Sequence, residues 1–170
     1  SGERATFHVR AFDANGVALG KREASWSLEG LAGSRLSATG MLSSSENATN
    51  QSGKVVASVG GITGSAQVRI YGPFPWIENF ENGRPPHWVG GGPRLAVINK
   101  DGQQLLKKRP SPTGLHRHTV FLGPATMSGY TVQADVMSIL QGRRRPDLGL
   151  INSGYTIDLQ GNQQRIQLQS

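Results

Sequence analysis

Along most of this chain apolar residues recur at every second position, in short runs broken by glycine, asparagine or proline. Phe7, Val9 and Ala11 alternate with His8 and Arg10, and the run stops at Asp13-Ala14-Asn15-Gly16, whose Asn-Gly pair tolerates the positive φ of a tight turn. Ala24, Trp26 and Leu28 form a second apolar face with Ser25 and Ser27 between them, and Trp26 is the expected core anchor. Leu36 and Ala38 begin a further short strand ended by Gly40, and the polar run from Ser43 to Asn50 reads as a surface loop. Val55, Ala57 and Val59, then Ala66, Val68 and Ile70, predict a hairpin that completes a small sandwich.

The segment Gly72-Pro73-Phe74-Pro75-Trp76 interrupts this order, and a differently organised set of strands follows. Leu95 and Val97 lead into the Asp101-Gly102 turn, and the chain returns through Gln103 to Leu106, a second hairpin. Val120 and Leu122 lie before Gly123-Pro124; Tyr130, Val132, Ala134 and Val136 then alternate with Thr131, Gln133 and Asp135 and predict a strand with one buried face. After the basic connection Gly142-Arg143-Arg144-Arg145-Pro146, the pattern repeats at Leu148 and Leu150, at Tyr155, Ile157 and Leu159, and at Ile166 and Leu168, with Gly161-Asn162 as the last turn. No window carries a helical period, so helix is expected only as single turns, near Trp76 to Glu81. The prediction is an all-β chain of two modules, residues 1–72 and residues 73–170.

Composition adds limits. In 170 residues divided between two modules each core must be modest, and 23 Gly and 9 Pro spread between apolar runs suit many turns. The absence of cysteine removes disulfides and thiolate metal or redox chemistry. No stretch is long and apolar enough to cross a bilayer, and Ser1-Gly2-Glu3 does not begin a targeting segment, so a soluble fragment is expected. The net charge of +7 is uneven: residues 73–170 carry 11 Lys+Arg against 6 Asp+Glu, and residues 1–72 carry 7 against 5. Such a bias suits an anionic partner, whether acidic polysaccharide, nucleic acid or membrane surface, although solvated basic loops also account for it.

Several residue groups could carry chemistry. In His116-Arg117-His118 the two imidazoles, two positions apart on a strand, would share a face and could hold a divalent metal, with further ligands drawn from His87, Glu81, Asp135, Asp147 or Asp158. Solvent-facing histidines are the plainer reading, and no other cofactor is expected. Trp76 and Trp88, in Pro- and Gly-rich segments, could stack on sugar rings, whereas Tyr130 and Tyr155 fall in phase with inward-facing aliphatics and are expected in cores. Arg143, Arg144 and Arg145 could grip carboxylate, sulfate or phosphate, joined by Lys107-Lys108-Arg109. Without interleaved aromatics, sequence-specific nucleic-acid binding is not expected. No Gly-x-Ser-x-Gly elbow is present, and Gly90-Gly91-Gly92 lacks the strand-loop-helix setting of a phosphate cradle.

The run from Gly53 through Ala57 to Gly64-Ser65-Ala66-Gln67-Val68 resembles the bacterial immunoglobulin-like domains found in tandem on secreted and surface proteins. Taken with Pro75-Trp76-Ile77-Glu78-Asn79-Phe80-Glu81, Gly123-Pro124, Tyr130 to Val136, Asp147 to Asn152 and Tyr155 to Asn162, the chain resembles the C-terminal region of bacterial proteins with pyrroloquinoline-quinone-like β-propeller repeats. The resemblance implies an immunoglobulin-like β-sandwich followed by a partial jelly-roll of concanavalin or carbohydrate-binding type. It also implies a secreted, periplasmic or envelope location. The propeller blades are missing from this sequence, so quinone chemistry is not carried over, and the family's sandwich continues past the position of Ser170. A truncated sheet would leave an open edge near Ile166 and Leu168, which predicts a homodimer through strand pairing. The leading expectation is a non-catalytic binding or spacer fragment that takes polysaccharide. A metal-assisted hydrolase using His116 and His118, and a purely structural connector, are the alternatives.

Overall fold

The computed structural model describes residues 2–110, 118–140 and 142–170. The chain is all-β, built from small antiparallel sheets with no closed barrel, and no α-helix occurs among the described residues. It divides into two compact units, Ser1–Gly123 and Pro124–Ser170.

In the first unit the alternation of Ala5 and Phe7 through Ala11 is split between β1 (Arg4–Thr6) and β2 (Val9–Phe12); β2 pairs with β3 (Ala18–Arg22) in a two-stranded ribbon. The turn between them is held by Asp13, whose Oδ1 accepts from the backbone N–H of Asn15 at 2.9 Å and Val17 at 2.8 Å. That side chain does locally what a turn's own backbone does elsewhere. Next come β4 (Ser25–Glu29), β5 (Ser34–Leu36) and β6 (Met41–Ser44), then the long hairpin of β7 (Gln51–Val59) and β8 (Ile62–Ile70). One sheet has the order β1-β6-β5 and another β4-β7-β8.

Both sheets feed one core. Leu42 from β6 meets Val55 from β7 and Ile70 from β8, with Leu31 and Ala48 from the connections, while Phe7, Trp26, Leu28, Leu36 and Val68 pack around them. Val55, only 2% exposed, is its deepest residue. Trp26, expected as the core anchor, is half-buried and packs at the core margin. Burial of this cluster is the main favourable term for the sandwich, at roughly 1.5–3 kcal/mol per fully buried aliphatic side chain. The sandwich also depends on a close crossing. After β4 the chain passes over β7 at Gly53, where an added Cβ would meet the carbonyl oxygen of Glu29 and, at 2.7 Å, the Leu31 side chain.

Beyond the sandwich, residues 73–123 belong to the same compact unit, although the sequence grouped them with the second module. They contain β9 (Val89–Gly90), a 3-10 turn at Gly92–Arg94, β10 (Leu95–Lys100), β11 (Gln103–Lys108) and β12 (Val120–Phe121). β10 and β11 form the expected hairpin around Asp101 and Gly102, whose φ values of 52° and 85° suit a two-residue turn. β9 pairs with β12 through two residue pairs. Among the described residues the single helical turn lies at Gly92–Arg94, and none covers Trp76 to Glu81. Aromatic packing and proline, described below, hold that stretch instead.

The second unit is a meander of β13 (Leu148–Asn152), β14 (Tyr155–Gln160) and β15 (Arg165–Gln169) in the order β13-β14-β15. Its register aligns Leu148 with Leu159 and Ile166, and Leu150 with Ile157 and Leu168, so one face is mainly apolar, with Asn152 beside Tyr155 at its end. The face is not closed over, since Ile166 is 74% and Leu168 67% exposed. Tyr155, expected in a core, shares this face and is exposed. Residues 130–140, read from their alternation as a strand, join no ladder. A strand needs a hydrogen-bonding neighbour as well as an alternating face. Ala134 and Val136 are exposed, while Tyr130 and Val132 are half-buried.

Candidate functional site

The best-built group of side chains outside the core surrounds the Pro-rich join. Tyr71, one residue past β8, stacks on Trp76 with ring centroids 5.5 Å apart and planes inclined by 24°. Phe74 lies against the other side of the turn, 4.8 Å from Trp76, and the Phe74–Pro75 bond is cis. Trp76 Nε1 donates to the Gly72 carbonyl at 2.9 Å, and the Gly72 N–H donates to Asn50 Oδ1 at 2.7 Å. Gly72 itself is pressed against the backbone of Ala48, so the segment is fastened to the loop before β7. Trp76, a candidate sugar platform, is therefore a packing residue with its indole N–H already used.

His87 completes the cluster. The Tyr71 hydroxyl donates to the His87 carbonyl at 3.3 Å, and the imidazole meets the Tyr71 ring edge-on at 5.9 Å. The residue is only 6% exposed, and its Nδ1 is buried without a hydrogen-bond partner among the described residues. Burial holds its pKa below the ordinary histidine value; the Glu78 carboxylate opposes this and the Arg69 guanidinium adds to it. Burial also raises the Tyr71 hydroxyl above its usual value, with Arg69 acting in the opposite direction.

These directions give a pH prediction. A histidine kept neutral in the folded state contributes stability above its unfolded pKa of about 6.5, and that contribution is lost as pH falls below this value towards the lower folded one. The thermal midpoint of the native protein is expected to fall between pH 7 and pH 5, and by less in His87→Gln. Equal slopes for the two proteins over that range would show that His87 is not the titrating group.

Trp88 is also engaged. It is half-buried, packs edge-on against Phe80 at 5.6 Å, and closes a turn through its N–H to the Pro85 carbonyl at 3.2 Å. Phe80 takes a positive φ of 62° and its N–H donates to Glu78 Oε1 at 2.6 Å. Trp88 and Trp76 thus sit in separate aromatic pairs, each with its own partner. Sequence reasoning missed Arg84, which ties down the following glycines by donating to the carbonyls of Gly90 and, at 3.3 Å, Gly92. Its position ahead of Pro85-Pro86 and the triple glycine was the available signal. Tyr71 and His87 were missed as partners of Trp76 because neither spacing nor alternation links them.

The metal pair is only half visible. His116 lies outside the described residues, and His118 is half-buried on the approach to β12. Among the described residues no three of His, Asp and Glu gather at metal-binding distances. The further ligands named from the sequence have other local settings: His87 faces Tyr71, Asp147 Oδ1 accepts from the Gly161 N–H at 2.9 Å, and Asp158 is buried in β14.

Arg143, Arg144 and Arg145 are exposed. Arg145 is anchored by its N–H to Asn162 Oδ1 at 2.8 Å and lines an open concavity of about 330 Å³ with Val136, Leu148, Leu159 and Ile166. Arg165, also at its rim, turns its Nε to Gln160 Oε1 at 2.6 Å, and Gln160 donates in turn to Gln167. Register puts Gln160 and Arg165 on the face opposite Leu159 and Ile166. Of Arg143, Arg144 and Arg145, Arg145 alone lines this concavity.

Comparison of the chain with protein-family models, with curated proteins and with solved structures finds no match.

Proposed function

We propose that this chain is a non-catalytic spacer and binding fragment of a secreted or cell-envelope protein, with polysaccharide as its ligand class. The observation that supports this reading is the join. A spacer must hold its connecting segments in a fixed local geometry, and here Tyr71, Trp76 and His87 fasten the Pro-rich segment to the end of the first sandwich. The ligand class and location rest on the family resemblance, and the surplus of basic residues after position 72 suits acidic glycans.

The join is tested by Trp76→Ala. Losing the stacked pair and the indole hydrogen bond should cost about 2 kcal/mol locally and speed protease cleavage within residues 72–88 by roughly ten- to thirtyfold, with β-sheet circular dichroism retained. Unchanged cleavage would remove the fastening from the proposal. Retention of the native protein on immobilised acidic polysaccharide tests the binding half. Metal-dependent hydrolysis of a polysaccharide or ester, lost in His118→Ala, would replace the proposal with the hydrolase reading.

A further inference from the structure

The charge surplus has a centre. Residues 73–123 carry 7 Lys+Arg against 3 Asp+Glu, and four of those cations meet at the open end of the β10–β11 hairpin. Lys107 and Lys108 end β11 opposite Ala96 and Leu95, and the ladder runs one step further because the Arg109 N–H donates to the Arg94 carbonyl at 2.7 Å. Arg94 Nη1 donates to the Pro110 carbonyl at 3.2 Å, which keeps its guanidinium at this mouth. By strand alternation Lys107 and Arg109 share one side, roughly 7 Å apart, and Arg94 stands across from Arg109 at roughly 5 Å, while Lys108 lies on the other side. Lys107, Lys108 and Arg109 are exposed.

Nothing in the neighbouring sequence neutralises this group. Between Glu81 and Asp135 the only carboxylate is Asp101. It occupies the turn at the far end of the hairpin, roughly 17 Å away along the strands, about twice the screening length of roughly 8 Å at physiological salt. The hairpin has no aromatic side chain on which a base could stack, and Asn99, Gln103 and Gln104 stand at its turn with Asp101, away from this mouth. Clustered cations without a stacking platform fit an acidic glycan better than a single-stranded nucleic acid.

We propose that the mouth of the β10–β11 hairpin, formed by Arg94, Lys107, Lys108 and Arg109, is the docking site for a carboxylate-bearing polysaccharide. This rests on the binding reading above and narrows it to an acidic chain held by charge-assisted hydrogen bonds at one end of one hairpin. The site gains affinity from Coulomb attraction, so binding weakens as salt rises.

The test uses the full chain with polygalacturonate as probe, dextran as the neutral polysaccharide and a single-stranded DNA oligonucleotide as the competing polyanion. The native protein is expected to bind polygalacturonate in a salt-sensitive way. Lys107→Gln/Lys108→Gln/Arg109→Gln should weaken binding roughly tenfold or more, since three exposed charge contacts are lost. Arg143→Gln/Arg144→Gln/Arg145→Gln removes the same charge elsewhere and should stay within about twofold of the native affinity by the same reasoning. Full affinity in the hairpin variant, or equal loss in both variants, overturns the site while leaving the binding reading in place. Preference for the oligonucleotide overturns the glycan assignment. Failure of the native protein to bind either polysaccharide overturns both.

Discussion

Replacing Gly53 with alanine is expected to destabilise the first sandwich by about 3 kcal/mol or more, a large share of the roughly 5–15 kcal/mol that holds a typical domain folded. The atoms an alanine Cβ would meet are the Glu29 carbonyl, the Gly30 backbone and the Leu31 side chain, two of the three being backbone that cannot rotate away. Relief would require moving the crossing of the β4 exit over β7. That would lift Leu31, itself 7% exposed, out of the core beside Val55. A urea titration followed by far-ultraviolet circular dichroism reads the loss. A midpoint within experimental error of the native one would mean that the crossing is loose and the core does not depend on it.

The second large effect is expected from Leu42→Ala, at about 2–4 kcal/mol, because the side chain is 5% exposed and its removal leaves a cavity between the two sheets. Leu168→Ala makes the comparison sharp. Leu168 occupies an equally regular alternating position in β15, yet on an open face, and its substitution should change stability by no more than about 0.5 kcal/mol. Comparable losses from the two substitutions, measured by the same urea titration, would show that the apolar face of the meander is covered in solution.

That pair also marks where sequence reasoning ends. Alternation identifies which side chains share a face, and the faces of Val55 with Ala57 and of Val68 with Ile70 are assembled as their pattern required. The turns at Asn15-Gly16 and Asp101-Gly102 were equally legible, since positive φ at Gly16 and Gly102 is a local demand. Whether a face is covered is not local. Tyr155 and Leu168 follow the same rule as Val55 and stay exposed, because coverage depends on a second layer that the period of a single strand does not encode. The stretch Tyr130 to Val136 alternates without joining a ladder for the related reason that pairing is a property of two segments.

The candidate site was less legible than the fold. Trp76 and Trp88 were identified as aromatics in irregular segments, but their partners come from residues that no spacing rule connects to them: Tyr71 and Phe74 for one, Phe80 for the other. The basic runs were visible as runs. That Lys107, Lys108 and Arg109 stand beside Arg94 needed the hairpin register, which sequence alone supplies only after its turn has been fixed.

The Arg84 tether carries one more consequence, in the currency of conformational freedom. Gly90, Gly91 and Gly92 all adopt positive φ, and ordering three residues that lack side chains costs roughly 3–6 kcal/mol of backbone entropy. Two hydrogen bonds from one guanidinium return part of this, at most roughly 1.5–3 kcal/mol each for a side chain open to solvent. Arg84 therefore offsets part of the cost of ordering this segment, beside the short ladder of β9 with β12.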